Sequence, residues 1–404
     1  MAPLHLKLSP PAWYYLTVGV FVVPMGIQTV LFPWLITIEL ELGATELGFG
    51  QMALQLPALF LVLIGGFLAD RFDAKRMLMS LYLLAAVPPV FLAVMIFEGY
   101  LSYWWMLVFA VITGTINSFA QPARDKLLSS VAGTEVQKTV TIVMGLTFGA
   151  QILGYGAASF ADTVGAEALL VLMAVLLGFG FIAAGQLPEA SAPSELKSGM
   201  GEAIADGLRI VMESESMRAS AVLLASISLF YGGTFMVLNP LMVRDVYQGG
   251  AAEISLSFAM FMSGTILATV LLVVRGGMQN TGKALIIAVV LGGGMLTIAS
   301  LGLAWVGYLA AIFAWGCCGG VAMSMGRTIM QELAPETHRA RVMSVFSLAN
   351  VGCLPFGAAL LGFSADIIGI LPSFLMAAAG GWCSVLYILV KTNLLNIQHQ
   401  HPDS

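Results

Sequence analysis

Side chains able to do chemistry are scarce in this chain, and most of them stand in short polar islands. Gly65 to Arg76 reads GGFLADRFDAKR and gathers Asp70, Arg71, Asp73, Lys75 and Arg76 between two long apolar runs. A second island, Gln121 to Lys126, sets Arg124 and Asp125 beside an amide. Carboxylates and cations spaced in this way can form and release ion pairs and charge-assisted hydrogen bonds. They do not compose a nucleophile with an adjacent base, a nucleotide-binding loop or a metal cluster. A third set is uncharged and lies within apolar runs: Met25, Gln28, Gln55, Asn117, Gln151, Tyr155, Tyr231, Trp315 and Asn350. Amides, aromatic faces and a thioether suit a bulky, partly apolar ligand held by a few hydrogen bonds, and each could equally bond a neighbouring helix. No Asp, Glu, His, Lys or Arg falls at the middle of any run, so no proton-relay site is assigned there.

The elements that must position these groups follow from composition. Of 404 residues, 59% are hydrophobic and 10% charged, against roughly 25% charged in soluble domains. Apolar runs of about 20 residues match the roughly 30 Å hydrocarbon core of a bilayer. They are continuous and lack a period of two, which predicts helices rather than a barrel. The expected class is an all-α membrane protein with twelve spans, at about 13–38, 47–69, 77–97, 102–122, 138–161, 166–186, 219–243, 254–274, 284–303, 305–328, 342–365 and 370–390. The boundary between spans 9 and 10, at Leu303 to Trp305, is the shortest.

Charge placement gives the orientation, because Lys and Arg in short loops stay on the cytoplasmic side. With both termini inside, only Arg244 of the 17 Lys and Arg residues falls outside, whereas Glu39, Glu41, Glu46, Glu98, Asp162, Glu167, Asp245, Glu253 and Asp366 stand at the outer face. The first apolar run is too long for a cleaved signal peptide and is expected to remain as span 1. Pairing residue n with n + 207 matches Gly26 with Gly233, Val30 with Val237, Leu31 with Leu238, Pro33 with Pro240 and Gly43 with Gly250, so spans 1 and 7 read as copies. The expected organisation is a six-helix bundle over 1–186, a cytoplasmic linker over 187–216, a second bundle over 217–391 and a tail over 392–404. Within the linker, Gly199 to Glu215 has the spacing of an amphipathic surface helix. Cys317, Cys318, Cys353 and Cys383 lie in apolar runs and are expected as free thiols, and His399 and His401 are too isolated for a metal site.

The first island resembles the signature loop between helices 2 and 3 of the major facilitator superfamily. Gly66, Leu68, Ala69, Asp70, Arg71 and Lys75 match that pattern, while Asp73 stands for its second Gly and Ala74 for the Arg that follows. The ending resembles the branch of enterobactin-exporter-like and macrolide-efflux-like transporters, as does the Pro122, Ala123, Arg124 stretch. The resemblance implies two pseudo-symmetric six-helix bundles that rock to alternate access. It implies gating by the loop, with Asp70 facing the N-terminus of span 11 near Arg341, Arg71, Lys75 and Arg76 alongside, and Asp125, next to Arg124, pairing with the loop's basic side. It makes the uncharged set candidate lining for a substrate cavity. Gly145, Gly149, Gly154 and Gly156 in span 5 resemble the Gly-rich helix of proton-driven exporters, but without its Pro, and imply close helix packing. The expected function is export of a bulky, partly apolar small molecule, a drug-like compound or siderophore-like metabolite. Uptake or facilitated transport of a metabolite or lysolipid is the alternative; a membrane-bound enzyme or receptor has no motif to support it. The expected partners are that substrate, the lipid bilayer and protons. Neither nucleic acid, a cofactor nor a metal is expected, and the expected state is a monomer in the inner membrane.

Overall fold

In the computed structural model the described residues are 9–132, 136–189, 200–276, 278–335 and 338–392, with the side chains of 62–71, 129, 136–138, 200–205 and 340 outside the description. Among them every regular element is helical. In lipid the backbone must satisfy its own polar groups, and a helix does so within one segment. Among the described residues eleven helices are long and apolar enough to cross a membrane: Pro10–Glu39, Ala74–Phe97, Tyr103–Ala132, Thr139–Ala158, Ala166–Gly185, Glu215–Asp245, Ala251–Val274, Thr281–Ala299, Trp305–Leu333, Arg341–Ile368 and Ile370–Lys391. The helix Ala44–Arg71 takes the place of predicted span 2.

Spans 4 and 10 run past their apolar stretches, to Ala132 and Leu333. Hydropathy marks where a helix leaves lipid, not where it stops. The short boundary between spans 9 and 10 is real: a turn over Ser300 to Ala304 joins them, with Gly302 at φ +64°. Span 11 breaks at Cys353, because Pro355 in the first turn of Leu354–Ile368 cannot supply an amide to continue the preceding helix. Asp73, which departs from the signature pattern, has a local task. Its side chain caps span 3 by accepting from the Arg76 amide at 2.9 Å.

By packing, the chain forms two units, Met1–Phe32 with Phe60–Leu196 and Pro33–Leu59 with Lys197–Ser404. The far ends of spans 1 and 2 therefore pack with the second half of the chain. The repeat of spans 1 and 7 extends to their partners. A Cβ on Gly154 of span 5 would stand 2.7 Å from the Cα of Gly26, and one on Gly233 of span 7 would stand 2.6 Å from the Gly357 carbonyl of span 11. Both crossings bring backbone against backbone, which only glycine allows here. One core joins Tyr14, Phe21, Leu78, Tyr82, Ile116 and Leu177 in the first unit. Another joins Val211, Met217, Leu224, Met330, Val342 and Phe346 in the second. Val211 belongs to the expected surface helix, observed as Met200–Glu213.

Candidate functional site

The signature loop connects Ala44–Arg71 to Ala74–Phe97. The side chains of Gly66 (a glycine position), Asp70 and Arg71 lie outside the described residues. Lys75 is half-buried, and Arg76 is exposed with Glu189 3.6 Å away. Both members of that pair are well solvated, so it contributes little. At the start of span 11, Arg341 donates to Asp206 of the surface helix at 2.7 Å. Arg209 and Glu213 on that helix form an exposed pair at 2.8 Å, which raises the guanidinium's hold on its proton.

Arg124, at the end of an apolar run, is buried, with 7% of its surface exposed. Its guanidinium lies over the Phe21 ring at 4.0 Å. Nη2 donates to Gln121 Oε1 at 2.8 Å, and Gln121 in turn donates to Asp125 at 2.9 Å. The Tyr14 hydroxyl donates to the Arg124 carbonyl at 2.9 Å, while Tyr82 donates to the Thr17 carbonyl. Nη1 finds no hydrogen-bond acceptor among the described residues. Spans 1, 3 and 4 thus enclose a cation whose donors are incompletely used, a costly arrangement for a buried charge.

The uncharged candidates divide by exposure. Met25, at 36%, is exposed, and Gln55, Asn117, Gln151 and Asn350 are intermediate. Gln28, Tyr155, Tyr231 and Trp315 are buried. The Tyr231 hydroxyl donates to the Val289 carbonyl at 2.8 Å, and Trp315 packs edge-on to Phe261 with centroids 4.8 Å apart. These two hold span 7 to span 9 and span 10 to span 8. Tyr155 sits beside Gln151 in span 5.

A second charged site lies at the expected outer ends of spans 1, 2, 7 and 11, all within the second unit. Arg244, at the end of span 7, donates through Nη1 to the carbonyls of Thr37 and Leu42 at 2.9 and 2.8 Å. Asp245 holds the guanidinium from its other side, through Nε and through Nη2 at 2.8 Å. Asp366, near the end of span 11, accepts from the amides of Ala44 and Thr45 at 3.2 and 2.8 Å. These amides open span 2, where free N–H groups and the helix dipole favour an anion. Lower down, a Cβ on Gly48 would stand 2.6 Å from the Ala358 carbonyl, so spans 2 and 11 touch backbone to backbone. The sequence carried a signal for this clamp: Arg244 is the lone cation on the acidic face. Past span 7, burial raises the Tyr247 hydroxyl above its ordinary range, and it donates to the Leu303 carbonyl at 2.9 Å.

A family model described as Major Facilitator Superfamily matches residues 15–357. "Enterobactin exporter EntS" of Shigella boydii serotype 4 (strain Sb227) is 23% identical over 99% of this chain and 96% of its own length. The protein of that name from Escherichia coli (strain K12) is 22% identical over 84% of this chain and 80% of its length. Among solved structures, the nucleoside transporter NupG superposes with a TM-score of 0.75 at 14% identity, covering 95% of this chain and 99% of that one. A D-xylose-proton symporter gives 0.74 at 14% identity, covering 96% and 99%.

Proposed function

The chain belongs to the major facilitator superfamily, and on that premise we propose that it exports a bulky, partly apolar small molecule by alternating access, in exchange for protons. Membership makes it a multi-pass membrane transporter rather than an enzyme. The observation that carries export is the likeness, along nearly the whole chain, to proteins named as enterobactin exporters. The partly exposed Met25, Gln55, Asn117, Gln151 and Asn350 and the buried Gln28, Tyr155, Tyr231 and Trp315 are the proposed substrate contacts. An uncharged site of this kind offers no counter-ion to a compact charged solute, whose dehydration is costly, whereas an amphipathic molecule meets apolar faces and amides. Proton coupling is then left to peripheral carboxylates such as Glu39, Asp70 or Asp125. The test is monomeric purified protein in liposomes carrying a proton gradient. Saturable, gradient-dependent movement of a catecholate siderophore or a bulky amphiphilic drug is expected. Transport of a sugar phosphate or inorganic ion, with no response to amphiphiles, would overturn the reading.

Gating is proposed at both ends. At one end the signature loop, with Gly66, Asp70, Arg71, Lys75 and Arg76, works with Arg124 and Asp125. At the other, Arg244 and Asp366 hold the ends of spans 1 and 2 and must let go for that side to open. Asp70→Asn is expected to lower flux about tenfold at equal membrane expression, by removing the anion from a contact formed and broken in each cycle. Flux near wild type would leave Asp70 with a topological role only. Both termini are proposed to be cytoplasmic, with bundles over 1–186 and 217–391. A reporter fused after Lys391 should then be active only in the cytoplasm, and periplasmic activity would refute the orientation.

A further inference from the structure

Spans 8, 9 and 10 line a cavity of about 400 Å³ that shares no residue with the proposed substrate contacts or gates. Its wall on span 8 is the stripe Leu267, Leu271 and Arg275, spaced by one helical turn. Ile287 comes from span 9 and Cys318 from span 10, and Met278, between spans 8 and 9, lines the cavity as well. Beyond the Leu267 end of that stripe, Thr265 donates to the Gly316 carbonyl at 3.0 Å, pinning span 8 to span 10 just before Cys317 and Cys318. Leu267, Leu271, Met278 and Ile287 are between 42% and 55% exposed, so the rim is apolar and faces outward from the bundle.

The charge is confined to one place. Arg275 ends span 8, at the end of the bundle where span 10 finishes and span 11 begins. It has no ion-pair partner among the described residues, and Lys283 stands exposed in the first turn of span 9. A slot of this kind, roughly 12 Å long from Leu267 to Arg275 by helix rise, open to hydrocarbon and headed by an unpaired guanidinium, matches one ligand chemistry. We propose that it binds an anionic phospholipid, with an acyl chain along Leu267 and Leu271 and the headgroup phosphate on Arg275. A water-borne ligand is disfavoured because the open side lies in the lipid-facing wall. A zwitterionic lipid would leave the guanidinium facing a headgroup of no net charge.

The experiment uses delipidated, purified full-length protein, with phosphatidylglycerol and phosphatidylethanolamine of the same acyl composition as probes. Native mass spectrometry should show phosphatidylglycerol retained about fivefold better, as expected for one basic residue at an anionic interface. R275Q, at an exposed position, should bring the ratio to about one. In parallel, phosphatidylglycerol should slow alkylation of Cys317 and Cys318 by a membrane-permeant maleimide in the wild type but not in R275Q, while Cys353, outside the cavity, reports general changes. Equal retention of the two lipids, a preference that survives R275Q, or protection of Cys353 alone would each overturn the proposal.

Discussion

Asp366→Asn is expected to open the outer clamp and to raise labelling, from the outer side, of a cysteine placed at Gln51 in a background free of native cysteines. Gln51 is 2% exposed and lies in span 2 behind the clamp, in the same packing unit. Asp366 accepts from two amides at the start of span 2 and also feels the positive field of Arg244. Asparagine keeps the shape but not the charge. Hydrogen bonds to a charged group contribute about 1.5–3 kcal/mol when sheltered, and solvent screening at this exposed carboxylate reduces that to about 1 kcal/mol. The expected shift is therefore about fivefold in the open fraction, with a matching rise in labelling rate. Arg244→Gln should act in the same direction, since it releases the Thr37 and Leu42 carbonyls. The double variant should fall short of the product of the two, because the groups interact through Asp366 and Arg244. Labelling at the wild-type rate in Asp366→Asn would mean that the clamp is a surface contact with no part in the cycle.

The fold was readable because lipid imposes a strong filter on apolar length and on hydropathic pattern. The spans, the surface helix and the glycine pairing of span 1 with span 7 all come from such patterns. The functional groups were less readable, for reasons that differ by residue. Arg124 looks like a solvated helix end because span 4 outlasts its apolar run, so its enclosure depends on Tyr14, Phe21 and Tyr82 arriving from two other helices. Tyr231 and Trp315 are the residue types of a ligand pocket, yet an aromatic ring packs equally well between helices, and spacing cannot separate the two. Pro33–Leu59 belongs to the second packing unit, where Arg244 and Asp366 meet it and the Gly48 and Gly362 backbones touch, contacts that hydropathy does not register. The lone outer Arg was visible; its acceptors, two backbone carbonyls, have no sequence signature.

Arg124→Met is expected to make the protein more stable and much less active. The wild-type guanidinium is buried against Phe21, spends one nitrogen on Gln121 and leaves Nη1 without an acceptor among the described residues. A buried charge so incompletely compensated costs several kcal/mol of desolvation, and replacing buried ionic groups by apolar residues of similar volume often stabilises by about 1–4 kcal/mol. Methionine can follow the same path over the Phe21 ring, so the thermal midpoint in detergent should rise by a few degrees. If the cation were retained only for packing, transport would survive this exchange. The proposal that Arg124 and Asp125 join the gate instead requires flux to fall at least tenfold, since the charge that must find an acceptor in another state of the cycle is gone. Arg124→Lys separates the two contributions, because it keeps the charge but loses the planar stack and the fork of donors. Partial flux in Arg124→Lys with little in Arg124→Met would assign the role to charge. Full flux in both, with the midpoint raised only in Arg124→Met, would leave a buried arginine without a part in transport.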